Sequence, residues 1–260
     1  MSVKTSRSVR QRRAAIVAWV NKHGHAQVET LAAQFNTSEV TIRKDLSALA
    51  EAGQLLRKFG GAASVSNNNS ANGATELSSA KQDIGRLAAS QIPPASRIII
   101  DCGTTTAAIL PYLNEIPDLV VMTNSLDAAS QLTKSSNEPT VLMIGGTWDP
   151  GSRSFQGAMA EQLVSAYSFD IAFIGAAGID IDRGTTTFNE LTGVTRTMAK
   201  VASKVVVMAT SKKLTHKMPN LELAWENISV LVTDSDIKDD DKQQIEQQGV
   251  TVLVAAQNGE

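Results

Sequence analysis

"FNTSEVTIRKDLSALAEAG" (residues 35–53) reads as a tight turn followed by an amphipathic helix. At about 100° per residue, Ile42, Leu46 and Leu49 fall on one side, with Thr41, Lys44 and Ala48 roughly opposite and Arg43 on a flank. Ser38 can cap a helix running from about residue 39 to 52, with Gly53 as its stop. Just upstream, "VETLAAQF" (28–35) turns Val28, Leu31, Ala32 and Phe35 inward as a second short helix. Before that, residues 7–22 set Val9, Ile16, Val17, Trp19 and Val20 on a helical stripe, ended by Gly24. Downstream, "QLLRKFGGAASV" (54–65) is apolar and β-prone on both sides of Gly60-Gly61, which predicts a hairpin. Two helices joined by a tight turn, the second with one apolar and one cationic face, make a helix-turn-helix; the hairpin would be its wing.

This segment is the basic part of a slightly acidic chain. Residues 1–65 hold ten Lys/Arg and four acids, a charge of +6, so the remainder carries 14 basic and 22 acidic residues, or -8. Charge divided in this way suggests that one part meets a polyanion. Thr37 and Ser38 at the helix N-terminus can bind phosphate through hydroxyl and N–H groups, and Thr41, Arg43 and Lys44 can enter a groove. Arg57 and Lys58 of the hairpin would rest on the DNA backbone or reach the minor groove. An ordinary reading competes, because Glu39 and Arg43 are also spaced for a solvated i,i+4 pair. No apolar run reaches the roughly 18 to 20 residues of a membrane span, and the N-terminal arginines precede no secretory apolar stretch. One cysteine, Cys102, and three scattered histidines, His23, His25 and His216, offer no disulfide and no metal centre. A cytoplasmic protein without a metal or cofactor is expected.

The stretch "SNNNSANGATELSS" (66–79) is poor in large apolar residues and reads as a linker, so the expected division is 1–65, 66–80 and 81–260. After it the pattern changes. Seven short apolar runs, at 97–101, 119–123, 140–145, 170–175, 204–209, 229–234 and 250–255, alternate with stretches of helix length at 104–115, 125–135, 158–167, 191–203 and 238–248. Continuous apolar strands imply burial on both faces, hence an α/β domain with a largely parallel sheet. Ligands of such sheets sit beyond the carboxyl ends of the strands. There the sequence places "DCGTTT", where Gly103 allows close approach and Thr104, Thr105 and Thr106 offer an anion cradle. Thr123-Asn124-Ser125, Gly145-Gly146 and Gly175 end three more strands. Each alone is most often a turn; together they suit a small phosphorylated polyol. Cys102 beside them reads as a small buried filler, because nothing evident activates its thiol.

"FNTSEVTIRKDLSALAEAGQLLRKFGGA" resembles the N-terminal motif of the DeoR family of bacterial sugar-operon regulators, TIRxDLxxLxxxG…R…GGA. "DCGTTT", "MTNS", "IGGT", "FDIAFIGAAGID" and "TTFNE" resemble that family's effector domain, so the likeness covers roughly residues 10–255. Within the family, "VVMTNSL", "FDIAFIGAAGID" and "GTTTFNE" look most like the repressors of glucitol (sorbitol) operons. The resemblance implies a winged helix-turn-helix domain followed by an α/β sensor domain of the kind shared with ribose-5-phosphate isomerase and glucosamine-6-phosphate deaminase. It implies a repressor of a sugar or sugar-alcohol operon that binds double-stranded operator DNA as a homo-oligomer. A phosphorylated sugar, with glucitol 6-phosphate as one candidate, would release it. Carried over by motif, Asp101, Gly103, Thr104, Thr105, Thr123, Asn124, Gly145, Gly146, Gly175, Glu190 and Lys213 would line the effector site, Asp101 and Glu190 orienting hydroxyls and Lys213 meeting charge. Two positions depart from the family pattern: Asp149 stands where a basic residue is common, and Thr210 where an acid is. Arg153 is the candidate to supply the missing charge. The competing reading is an enzyme, a sugar-phosphate isomerase or deaminase with a basic appendage, using Asp101 and Glu190 as a carboxylate pair.

Overall fold

The computed structural model describes residues 9–23, 25–51, 54–58, 61–64, 78–137, 139–150, 152–187 and 192–256. Two compact units divide the chain, Met1–Thr75 and Glu76–Glu260.

Apolar residues three and four apart build the first unit. Helices α1 (Val9–His23), α2 (Val28–Gln34) and α3 (Glu39–Glu51) pack beside a small antiparallel sheet of β1 (His25–Gln27), β2 (Leu55–Lys58) and β3 (Gly61–Ser64), in the order β1-β3-β2. Ile16, Val20, Leu31, Ile42, Leu46 and Leu55 are each at most 1% exposed and form its centre. Each such side chain contributes on the order of 1.5–3 kcal/mol. Asn36 takes the left-handed conformation (φ 48°) in the turn between α2 and α3. That geometry is tolerated better by asparagine than by most residues. Ser38 caps α3, its Oγ accepting from the Thr41 N–H at 3.2 Å. The expected hairpin is present, and β1 adds a third strand that three residues were too short to announce. Val9 departs from its expected inward place and is 52% exposed.

One acid sits inside this unit. Asp45 is 2% exposed and accepts from Arg12 Nε at 2.6 Å and Arg13 Nε at 2.9 Å, tying α3 to α1. Two of the ten cations counted toward a polyanion surface are thus turned inward.

The second unit runs α4 (Ser79–Ala89), β4 (Arg97–Ile100), a 3-10 helix Thr106–Glu115, β5 (Val120–Thr123), α5 (Leu126–Leu132) and β6 (Thr140–Met143). Then come the short pair β7 (Thr147–Asp149) and β8 (Ser154–Gln156), α6 (Ala158–Ser165), β9 (Phe169–Gly175), β10 (Gly178–Asp180), β11 (Gly184–Thr187) and α7 (Gly193–Lys200). It closes with β12 (Ala202–Met208), a 3-10 turn Ser211–Thr215, β13 (Asn220–Ala224), β14 (Val230–Asp234), α8 (Asp239–Gln247) and β15 (Thr251–Ala255). All seven apolar runs become strands of one parallel sheet, ordered β15-β14-β12-β9-β4-β5-β6. Their side chains alternate between two cores. Ile99, Ala172, Ile174, Val205, Val207 and Leu231 point to one face; Ile98, Ile100, Phe173, Val206, Val230 and Val232 point to the other.

Three features were not anticipated. Helix α4 follows the linker and packs on the 3-10 helix so closely that a Cβ on Gly85 would lie 2.2 Å from the Ala108 carbonyl oxygen. An antiparallel sheet of β10, β11 and β13 hides threonines 185 and 186 completely. The expected helix at 104–115 begins at Thr106 and is 3-10; Pro111 within it has no N–H for an i→i−4 bond. Among the described residues no helix is long and apolar enough to cross a membrane.

Candidate functional site

In the first unit the buried side of α3 fixes what it shows outward. Ile42, Asp45, Leu46 and Leu49 are buried, so the opposite side centres on Val40, 60% exposed, and Lys44, also exposed. Thr41 and Ala48, expected opposite the core, stand at a half-buried margin. Thr37 is half-buried and Ser38 exposed. The Ser38 and Thr41 hydroxyls hydrogen-bond each other at 2.9 Å. Arg43 donates to Glu39 at 2.8 Å across the exposed helix surface, the ordinary i,i+4 pair that competed with the groove reading. Arg57 and Lys58 lie on β2, and their side chains fall outside the described part. Val40 was missed because apolar residues are assigned inward by default. Its place opposite Ile42 and Leu46 on the wheel was the available signal.

Asp45 is pushed up by burial, but hydrogen bonds and charge from Arg12 and Arg13 outweigh that and hold its carboxyl below the usual value. An acid on the apolar side of an amphipathic helix was itself the sign of a buried pair.

The second candidate lies at the carboxyl ends of the parallel strands. Asp101 follows β4 and is the hub of this rim. Its Oδ1 accepts from the Gly103 N–H at 2.8 Å and the Thr106 hydroxyl at 2.5 Å; its Oδ2 accepts from the Gly175 N–H at 2.6 Å. One carboxylate thus joins the ends of β4 and β9. Burial pushes its pKa up, against the three hydrogen bonds. Gly103 and Gly175 leave room for it, since a Cβ on either would meet its oxygens at 3.1 and 3.4 Å. Thr106 is fully buried, and its hydroxyl also lies 2.7 Å from the Gly103 carbonyl. The expectation that it faces a ligand is corrected: its role is to brace Asp101.

Thr104 is half-buried and accepts from Lys81 Nζ at 2.8 Å, while Thr105 is 7% exposed. Lys81 comes from α4 and was not foreseen. Burial, then the charge of Lys213, lowers its pKa; burial lowers that of Lys213. Two half-buried cations therefore act on each other beside Thr104. The missed signal was a lysine at the start of an amphipathic helix whose small Gly85, Ala88 and Ala89 let it lie flat.

On β5's end, Thr123 Oγ1 accepts from the Ser125 N–H at 3.1 Å, and Ser125 Oγ caps α5 by accepting from the Ala128 N–H at 3.2 Å. Asn124 is 2% exposed, and its Oδ1 has no hydrogen-bond partner among the described residues. Gly145 and Gly146 are exposed, the latter at φ 133°. Arg153 does not bring an unneutralised cation to the rim, because it forms a two-pronged pair with Asp127, both contacts 2.9 Å. Asp149 is occupied in its own turn, accepting from the Ser152 N–H and hydroxyl. Thr210 caps the 3-10 turn that carries Lys213, its carbonyl accepting from the Lys213 N–H at 2.8 Å. Glu190 lies outside the described residues.

A different acid stands near Asp101. Glu222 on β13 receives a hydrogen bond from Thr195 and interacts with Asp101, Cys102 and Arg196. Arg196 in turn clamps the strand, donating to the carbonyls of Leu221 and Glu222 at 2.7 and 3.0 Å. Glu222 also borders a cavity of about 540 Å³ between α7, β12 and β13. Burial, then Asp101, pushes the Cys102 thiol up to about 12, so it is no nucleophile at neutral pH.

Comparison with known proteins covers both units. The DeoR-like helix-turn-helix domain matches residues 12–68, and the DeoR C terminal sensor domain matches residues 76–235. A putative aga operon transcriptional repressor of Escherichia coli O157:H7 is 32% identical over 254 residues, 95% of this chain and 94% of that protein. The transcriptional repressor AccR of Agrobacterium fabrum is 32% identical over 234 residues, 88% and 90% of the two chains. Among solved structures, ribose 5-phosphate isomerase A of Methanocaldococcus jannaschii overlays 52% of this chain and 53% of its own, at 16% identity and a TM-score of 0.38.

Proposed function

Because this chain belongs to the DeoR family of transcriptional regulators, we propose that it represses a sugar or sugar-alcohol operon and is released by a phosphorylated sugar or polyol, with glucitol 6-phosphate the first candidate. The observation that carries the effector half is the pairing of Lys81 and Lys213 at Thr104, beside the Asp101 hub. Two partly desolvated cations repel each other, and an anion placed between them relieves both the repulsion and the lost hydration. A phosphate fits that demand. The unpartnered Oδ1 of Asn124 supports a polyol for the rest of the ligand, since an unpaired buried acceptor costs about 1–3 kcal/mol and a hydroxyl donor removes that cost.

For the DNA half, the N-terminal turns of a recognition helix meet base edges. Lys44 offers a phosphate contact; Val40 offers an apolar contact suited to a thymine methyl group. Thr37, Ser38, Thr41 and Arg43 border this surface, and Arg57 and Lys58 follow on the wing strand. Paired copies would engage repeated half-sites, and ligand would weaken DNA to the same degree that DNA weakens ligand. The named relatives favour a regulator over the isomerase-like enzyme.

The test uses a duplex that the protein itself selects from random sequence. Lys44→Ala is expected to weaken binding and to reduce the salt slope by about one, leaving effector-induced stabilisation intact. Lys81→Ala and Asp101→Ala are expected to keep the duplex and lose the response to phosphosugars. A Lys44→Ala protein that binds as the parent does, or turnover of a phosphosugar at enzymatic rates, overturns the reading.

A further inference from the structure

The cavity of about 540 Å³ between α7, β12 and β13 is left without work by the proposed function. Ala199, Ala202 and Ala224 line it with short side chains. Its charged lining comes from two places. Arg196 and Lys200 stand on α7; Glu222 lies on β13, and Glu226 follows in the 3-10 turn Trp225–Asn227. Arg196 is engaged within the chain, donating to the carbonyls of Leu221 and Glu222 at 2.7 and 3.0 Å, and Glu222 is half-buried. Lys200 and Glu226 are exposed, and among the described residues neither meets an opposite charge. A cation and an anion thus line one cavity without pairing inside the chain.

Strand β13 is also an edge of its sheet, in the order β10-β11-β13, and an open edge invites a strand from another chain. Two features close this one. Thr185 opposes Leu223 while Thr186 opposes Leu221, so Glu222 is the extra residue of a bulge. Arg196 occupies two of the strand's carbonyls. A partner here is therefore met by side chains, not by an added strand. The signs identify that partner. A surface lined by two cations and two acids has no net charge to draw a charged ligand, yet it complements itself after half a turn.

We infer that two copies of this chain meet at the cavity, Lys200 of each pairing with Glu226 of the other about a two-fold axis. The inference rests on the regulator reading only for the need to pair; that reading leaves the meeting surface open. A two-fold axis makes the ion pair twice, so each charge is felt at two points.

The experiment measures self-association of the full chain by sedimentation at low and high salt. The parent is expected to run as a dimer or larger, with the contact weakened by salt. Lys200→Glu and Glu226→Lys each set like charges together twice and should raise the dissociation constant roughly tenfold or more. Both positions are exposed, so the circular dichroism of each variant should match the parent's. Mixing the two single variants decides the matter. A Lys200→Glu chain beside a Glu226→Lys chain restores opposite charges at both points, and the mixture should associate about as tightly as the parent. A contact within one chain cannot be repaired by mixing. The inference is overturned by a parent that is monomeric at low salt, by single variants that associate as the parent does, or by a mixture no tighter than its components. Duplex binding is read in parallel. A parent that associates and binds duplex, with a mixture that does not recover, moves the meeting surface elsewhere and leaves the regulator reading standing. A parent that ignores duplex at low salt fails that reading itself.

Discussion

Asp45 in the N-terminal unit is buried and Asp101 in the C-terminal unit half-buried, and the protein treats them in opposite ways. Asp45 is met by two guanidinium groups, at 2.6 and 2.9 Å, which more than offset its negative charge. Asp101 is met only by dipoles, two backbone N–H groups and a hydroxyl. The first arrangement ties two helices and offsets the carboxylate in full. The second holds a carboxyl at a strand end by hydrogen bonds alone, where it joins the loops after β4 and β9 while burial raises its pKa. The acid paired with cations serves architecture; the acid held by dipoles stands in the candidate site.

That contrast can be broken most forcefully at Asp45. Asp45→Ala strands two arginines near a buried face and should cost on the order of 3–5 kcal/mol, enough to unfold the head. Hydrogen exchange should then show α3 amides unprotected while β9 and β12 exchange as in the parent; protection retained in α3 would refute the architectural role. Acid separates the two aspartates by sign. Asp45 lies below the usual 3.8, so its stabilisation is present above that value and is lost as pH falls through its lower folded value. Asp101 lies above 3.8, so its contribution is full below that value and is lost as pH rises through its folded value. The head should therefore lose protection in acid before the body does.

A smaller effect tests the geometry around Asp101. Gly85→Ala sets a methyl 2.2 Å from the Ala108 oxygen and forces α4 away from the 3-10 helix, costing roughly 1–3 kcal/mol. Because α4 carries Lys81, phosphosugar affinity should fall along with the melting temperature, and stabilisation by inorganic phosphate should fall too. A loss of stability with unchanged affinity would detach Lys81 from the site. The smallest effect belongs to Glu39→Gln, which removes only an exposed i,i+4 pair and should cost about 0.3–0.5 kcal/mol. By removing one negative charge beside the exposed face of α3 it should leave duplex binding equal or tighter in a salt-dependent titration.

How far the chain could be read in advance follows from which physics is local. The seven sheet strands were legible because burial on both faces leaves uninterrupted runs such as "RIII" and "VLVTD". Helix α3 was legible because one face had to be apolar and one end capped. The small sheet was not: β11 is "GTTT", and buried threonines bonded to backbone groups carry no hydrophobic signature. In the cleft, the residues between Asp101 and Ser125 could be found because loops after strands are local features. Lys81 and Glu222 could not, since only the crossing of α4 over the 3-10 helix and the return of β13 bring them near Asp101. Arg153 was misjudged for the same reason, because its partner Asp127 lies on a helix that precedes it. Contacts between distant segments are decided by topology, and one sequence does not display topology.

The large sheet has one further implication. With all seven strands running the same way, the loops after β4, β5, β6 and β9 all leave from one end of the sheet. Exchanging those upper loops would reshape the proposed effector site without disturbing a single rung of the ladder.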